Sequence, residues 1–443
     1  MGVEPRRALG ANVKLRAKLA SAAAGYGSQP GGNWTEIRAI SNGLAKNQAL
    51  ERTPLLGGGR DPERPERGPI DVAGQIVVPI DKRMFAWWLY LGLGAPTTTG
   101  PLGARGWIGF ASNPADTDTI TLDGVAWTFV AGAPVGNQTQ IGADLAATLD
   151  QLVIDLNGSV DANIAAATYS RSGHRLEIDH DTADATGNSY TLATDIASAV
   201  LSNVTLYGGG LYKHLFVSDK RQGGVPILLP DMAIETEHAD IAGETDGFVV
   251  RAGAMLNSMQ ISRQRSGTAQ ATLEMIAQSE QTFPATQAGT PNALALDRFF
   301  NFKGNFYVDE VEVANLSTAE LTVGNNLTVF EGLRRDGLIA GLDPGETQIG
   351  LNLTARFSNN TVKQRVEAEE AIAVRLGFVD RVDGMELEFL LHQVDLPSGS
   401  APVEGPGPVE VTYSDGQGSR ETGVDRALTV SLWNDVTDYP ATP

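Results

Sequence analysis

The clearest hydrophobic pattern lies between Gly43 and Gly94 and divides into three parts. Residues Arg52–Pro69 carry no period at all: they are dense in Pro, Gly, Arg and Glu, which blocks regular structure and reads as an irregular arm. Val72 and Gln75–Ile80 then read as a strand. Asp81 is a good N-cap, and Met84, Trp87, Trp88 and Leu91 recur at i, i+3, i+4 and i+7, so the spacing predicts an amphipathic helix over Asp81–Leu91 with an aromatic face. Gly92, Gly94 and Pro96 stop it. A structureless arm of this length is uncommon inside a compact domain unless it has a task. Its reach suggests contact with another copy of the chain, through Arg52, Pro54, Leu55, Leu56, Arg60, Arg64 and Arg67. Met84, Trp87, Trp88 and Leu91 dock the helix on a flat apolar surface.

Elsewhere the pattern is mostly two-residue alternation. Val13, Leu15, Ala17 and Leu19 alternate with Asn12, Lys14, Arg16 and Lys18, which predicts a strand with one cationic face turned to an acidic neighbour. Beyond Leu211, strands are expected at 211–217, 225–236, 248–262, 268–277, 305–314, 327–332, 347–357, 370–379, 385–396, 409–414 and 427–433, with a short helix at Leu294–Phe299. No βαβ alternation is present, so the expected body is mainly β, an antiparallel sandwich or barrel with a flanking α-helix.

Between them the composition changes. Trp107–Tyr207 holds twelve acidic residues against two basic, a net of −10. Its elements differ too: a hairpin over Asp123-Gly124, a helix marked by Ile141, Leu145, Leu149, Leu152, Val153 and Leu156, a second hairpin around Ser172-Gly173 and a last strand at 189–193. This reads as a small α+β domain inserted at 106–210, dividing the body into 1–105 and 211–443.

The chain has 443 residues, 50 of them glycine, and a formal net charge of −20. That balance disfavours tight binding of duplex DNA, which is held through Lys and Arg, and suits a surface that DNA passes without sticking. The absence of cysteine excludes disulfides and thiol catalysis. The basic residues near the start are spread through Lys18, leaving no apolar core for a signal peptide, and no run is long enough to span a membrane. The Gly-x-Gly of 92–94 follows a helix and opens none, so it fails the dinucleotide context. Asp179, Asp181 and Asp184 could offer hard oxygens to calcium but lack the spacing of a calcium loop; solvated acidic surface is the simpler reading. No metal, cofactor or catalytic set is expected. A surface adhesin built on a β-sandwich would need an export signal, and a glycan-active enzyme would need paired carboxylates in a groove.

Five segments carry a family resemblance: RALGANVKLRAK (7–18), LERTPLLGGGRDPERPERGPIDVAGQIVVPIDKRMFAWWLYLGLGAP (50–96), VRAGAMLNSMQISRQRSGTAQATLEMIAQSE (250–280), GLIAGLDPGETQIGLNLTARF (337–357) and LTVSLWNDVTDY (428–439). Together they resemble the tail tube (major tail) proteins of long-tailed, siphovirus-like bacteriophages, and the inserted piece is similar to a module of phage structural proteins. The resemblance implies a virion protein assembled in the host cytoplasm into stacked hexameric rings, with strands of neighbouring subunits paired into one barrel. It also implies tape-measure, terminator and tip proteins as partners, and genomic DNA passing through the lumen unbound. A neck or tip ring protein is the nearest alternative. The insertion would sit outside the tube, because a folded domain would block the channel.

Overall fold

Alternating strands in the body pair into two sheets whose inward side chains meet in one core. The computed structural model describes residues 9–20, 25–52, 61, 64–219, 221–222, 225–226, 229–241, 247–308, 311–313, 316–356, 361–399, 409–422 and 424–439. The front sheet runs, neighbour to neighbour, through strands Ala45–Glu51, Glu66–Pro79, Gln270–Ala277, the second half of Phe248–Arg263, Leu316–Gly324, Gln348–Arg356 and Glu410–Ser419, all antiparallel. The back sheet runs through Thr97–Thr99, Tyr212–Val217, Leu428–Asn434, Glu386–Asp395, Ile372–Val379 and Gly304–Val308. The two join at one corner, where Gln393–Asp395 pairs with Gln417–Ser419. The first half of Phe248–Arg263 leaves the front sheet and pairs with Met232–His238, which in turn pairs with Val13–Leu19. Of the two expected architectures the sandwich is the one formed; the described strands close no barrel.

The core follows from the alternation. Leu273 and Met275, Leu321 and Val323, and Leu351 and Leu353 point inward from the front sheet. Leu376 and Phe378, Leu387 and Phe389, and Val430 and Leu432 meet them from the back. Burying one such side chain contributes about 1.5–3 kcal/mol.

Three expectations are corrected. Residues Glu66–Pro69 are not irregular but open a strand that runs to Pro79, because Leu50 and Glu51 lie opposite Arg67 and Glu66 and supply the ladder. Pro69 is tolerated there by exposure near the end of the ladder. Leu294–Phe299 is extended rather than helical. Its backbone is taken by neighbours: Asp297 N–H donates to the Asp81 carboxylate at 2.7 Å, and Phe299 N–H donates to the Ile80 carbonyl at 2.9 Å. The helix begins at Phe85 and ends at Leu93, and it is buried almost all round rather than on one aromatic stripe. It fills the space between the sheets against strands 248–263 and 212–217. Asp81 still organises its start, accepting hydrogen bonds from the Arg83 and Met84 amides at 2.8 and 2.7 Å, but across a turn that precedes the helix.

Residues Ala104–Leu206 close a second, separate hydrophobic cluster. Helix Leu145–Asn157, capped by Asp144, packs on hairpin Ala167–Ser172 with Arg175–His180, which is extended by Arg105–Phe110. A second small sheet holds the Thr119–Leu122 and Val125–Val130 hairpin over Asp123-Gly124. This lobe leaves and rejoins the body through a two-stranded neck, where Leu102 N–H donates to Leu211 O and Gly210 N–H to Leu102 O, both at 2.8 Å. It lies over the outer face of the back sheet.

Candidate assembly surfaces

The described residues that flank the expected arm, Ala45–Glu51 and Glu66–Pro79, pair as an antiparallel ladder. Of the two strands, Ala45–Glu51 is exposed along nearly its whole length, and among the described residues it pairs as a strand only with Glu66–Pro79; beyond Lys46, whose amide donates to Glu280 at 3.2 Å, its outer edge has no strand neighbour. An open edge presents unpaired N–H and C=O groups and is a ready template for another strand. Leu50, 66% exposed, adds apolar surface to it. The strand can kink around its partner because a Cβ at Gly74 would lie 2.1 Å from the Gly43 carbonyl oxygen; only glycine permits that crossing. Beside the hairpin base, Ile70 N–H donates to Gly337 O at 2.9 Å, tying on the 325–345 loop, where Phe330 and Leu333 are also exposed.

Arg52, Arg64 and Arg67 are exposed on this hairpin, Arg67 within its strand. Pro54, Leu55, Leu56 and Arg60 lie outside the described residues. Met84, Trp88 and Leu91 are buried and Trp87 is half-buried, packed inside this chain's own core.

The outer face of the front sheet is a surface that no motif marked. Its register aligns polar rows across the strands: Thr272, Gln260, Thr322 and Gly350 lie side by side, as do Ser262, Glu320 and Asn352. The face is tied together by hydrogen bonds, Asn352 to Glu320 at 3.1 Å, Ser258 to Glu274 at 3.1 Å and the Asp415 amide to Asn352 at 2.8 Å. Among the described strand residues between Gln75 and Gln417, the charged side chains of this face are carboxylates until Arg356 at a strand end; Arg263, opposite buried Ala319, turns to the inner side and bonds the Gly304 carbonyl of the back sheet. Alternation could have located each polar residue, but not that strands more than a hundred residues apart would align them.

Two ion networks tie distant segments of the body together. Arg16 meets Glu235 at 2.7 Å and also bonds Glu237, so the cationic face of Val13–Leu19 does meet an acidic strand. Lys82, only 3% exposed, bonds Asp380 at 2.9 Å, Asp297 at 3.1 Å and Asp383. Burial alone would lower the Lys82 ammonium, but the three carboxylates outweigh it and raise its pKa. Beside it Arg83 grips Asp435 through two bonds of 2.7 Å, and Asn434 donates to the Lys82 carbonyl at 2.8 Å, so the start of the helix is stitched to the last strand.

The acidic run in the lobe does not converge. Asp181 accepts from the Thr168 hydroxyl at 2.8 Å and Asp184 from the Thr186 amide at 2.7 Å. Burial raises the Asp179 carboxyl, partly offset by Arg105 and Lys213. Among the described residues no group of three His, Asp or Glu side chains is arranged to hold a metal, and no helix is long and apolar enough to cross a membrane.

A family model described as phage tail tube protein matches residues 10–414. No curated protein matches the chain. With the match running from the first described strand into Glu410–Ser419, the chain belongs to the phage tail tube protein family, structural components of the virion tail that self-assemble with other tail proteins.

Proposed function

We propose that six copies of this chain close into a ring, that rings stack into a tube, and that the outer face of the front sheet lines the lumen through which genomic DNA leaves the virion. The lining of that face carries the reading. A DNA conduit must avoid the Lys and Arg contacts by which duplexes are held, and each contact avoided removes one counterion-releasing attachment. Repetition around a ring multiplies the carboxylates Glu274 and Glu320 into an acidic wall. The back sheet is then the outward side, which puts the 106–210 lobe as a separate domain on the tube exterior, clear of the channel. The hairpin of Ala45–Glu51 and Glu66–Pro79 reaches the neighbouring copy and offers its open edge. Tape-measure, terminator and tip proteins meet the assembled tube, and assembly takes place in the host cytoplasm before the tail joins the virion.

Electron microscopy of the purified chain over a concentration series tests this. Hollow tubes or six-fold rings are expected; single rings that never stack would make the chain a neck or tip ring, and monomers at every concentration would overturn self-assembly. The lumen assignment has its own test. With Glu274→Lys and Glu320→Lys together, tubes form but retain duplex DNA, with affinity falling steeply with salt at a log–log slope of about −0.9 per phosphate neutralised. Tubes of the doubly substituted chain that release DNA as freely as the native ones would place the lumen on another face.

A further inference from the structure

A lobe carried on a two-stranded neck could swing. Two arginines at its base argue against that. The Arg105 guanidinium sits 4.4 Å from the ring centre of Trp433 on the back sheet and 5.8 Å from Tyr207 of the neck, while its Nη2 donates to Glu386 at 2.8 Å. Arg175, in the lobe hairpin, lies between two rings: Trp107 of the lobe at 4.2 Å and Tyr307 of the back sheet at 4.8 Å. Lys213 adds a third cation 4.9 Å from Trp433. Below them the neck touches the 380–384 turn so closely that a Cβ on Gly384 would fall 2.4 Å from the Gly208 backbone.

We propose that Arg105 and Arg175 are positioning residues that clamp the lobe to the back sheet, so that lobe and body form one rigid unit with a fixed outward orientation. The geometry has the features such a clamp requires. Each guanidinium meets a ring on its own side and a ring of the body, and so bridges the two parts. Each lies over an aromatic ring of the body, and those rings, Trp433 and Tyr307, are anchored in strands Leu428–Asn434 and Gly304–Val308. A guanidinium stacked between two rings loses its contacts at once if the lobe rotates, whereas a flexible surface ion pair would follow the motion. The turn under the neck also supplies Asp380 and Asp383 to Lys82, so the lobe rests on a part of the body that is itself pinned to the start of the central helix. The clamp acts within one chain, and its test is independent of ring formation.

Because the chain has no cysteine, thiols introduced by Val160→Cys in the lobe and Thr318→Cys in the front sheet are unique labelling sites, and Val160 is 99% exposed. Nitroxide labels on the full-length, unassembled chain report the distance distribution between lobe and body. A single narrow distribution is expected with both arginines present. With Arg105→Ala and Arg175→Ala it broadens, as the open population rises roughly tenfold per clamp removed. A broad distribution with both arginines present, or a narrow one that survives both substitutions, would overturn the clamp. Arg175→Gln alone, which keeps a planar group but removes the charge, provides the same reading if the double substitution fails to fold, and broadening is expected there too.

Discussion

Removing residues 52–65 and joining Glu51 to Glu66 through an Asn-Gly turn is expected to yield a folded monomer that does not polymerise under conditions where the full chain is expected to form tubes. Folding survives because the deletion lies beyond the core: the first fully buried position on the returning strand is Val72, and the ladder from Ala45 to Glu51 is retained. A two-residue type I′ turn matches the twist of the strands it joins. On the proposed reading assembly should fail, because the deletion removes the exposed Arg52 and Arg64 next to the edge that Ala45–Glu51 would offer a second copy. Thermal melting followed by circular dichroism separates folding from assembly, and electron microscopy scores the tubes. Normal tubes from the shortened chain would remove the hairpin tip from the interface and leave the exposed Phe330–Leu333 loop as the next surface to alter.

Replacing Lys82 by Met destabilises the body by roughly 3–5 kcal/mol at neutral pH, the cost of leaving buried charge without its partner. Three carboxylates then share one site, with Lys303, 2.6 Å from Asp380, and Arg83, 4.0 Å from Asp297, as the remaining cations. Asp297 and Asp383 are partly exposed, so solvent screens them and the lower end of the range applies. The pH dependence carries the signature. Burial pushes the Asp380 carboxyl up, but hydrogen bonds from Lys303 and Lys82 outweigh it and hold its pKa below the ordinary value. A depressed carboxylate stabilises the fold above its unfolded pKa, about 4, and that stabilisation is lost as pH falls through the lower folded value. In the Lys82→Met chain the carboxylates lose that support and protonate more readily. The stability gap between native and substituted chains should therefore be widest near pH 7 and shrink below about pH 4. Denaturant titrations at several pH values measure it; a gap below about 1 kcal/mol at pH 7, or one that widens on acidification, would show that the network is not a stabilising hub.

Much of the β architecture was legible because alternation is a local property. Val13–Leu19, Gln270–Ala277 and Gln348–Arg356 each announce one apolar face, and Asp123-Gly124 and Asp383-Gly384 announce turns through the left-handed backbone that glycine supplies. The charge step at Trp107–Tyr207 was equally local, and so was the chain's acidic balance. The family resemblance rested on five segments of the body, among them those that hold Val13–Lys18, Gln270–Ala277 and Gln348–Arg356.

The tertiary structure decided what local spacing leaves open. Glu66–Pro69 reads as irregular by composition, yet it is a strand because Ala45–Glu51 lies beside it to take its hydrogen bonds. The Phe85–Leu93 helix reads as amphipathic over a few aromatic positions, yet sheets enclose it and bury the rest. Arg105 and Arg175 stand in unremarkable polar alternation, and their place against body rings depends on strands that return more than a hundred residues later. Alternation tells which residues share a face, a matter of backbone geometry within one strand. Which strand lies next, and what that face then meets, is set by pairing between distant segments, such as Arg16 with Glu235, and that free energy exists only once the chain has folded.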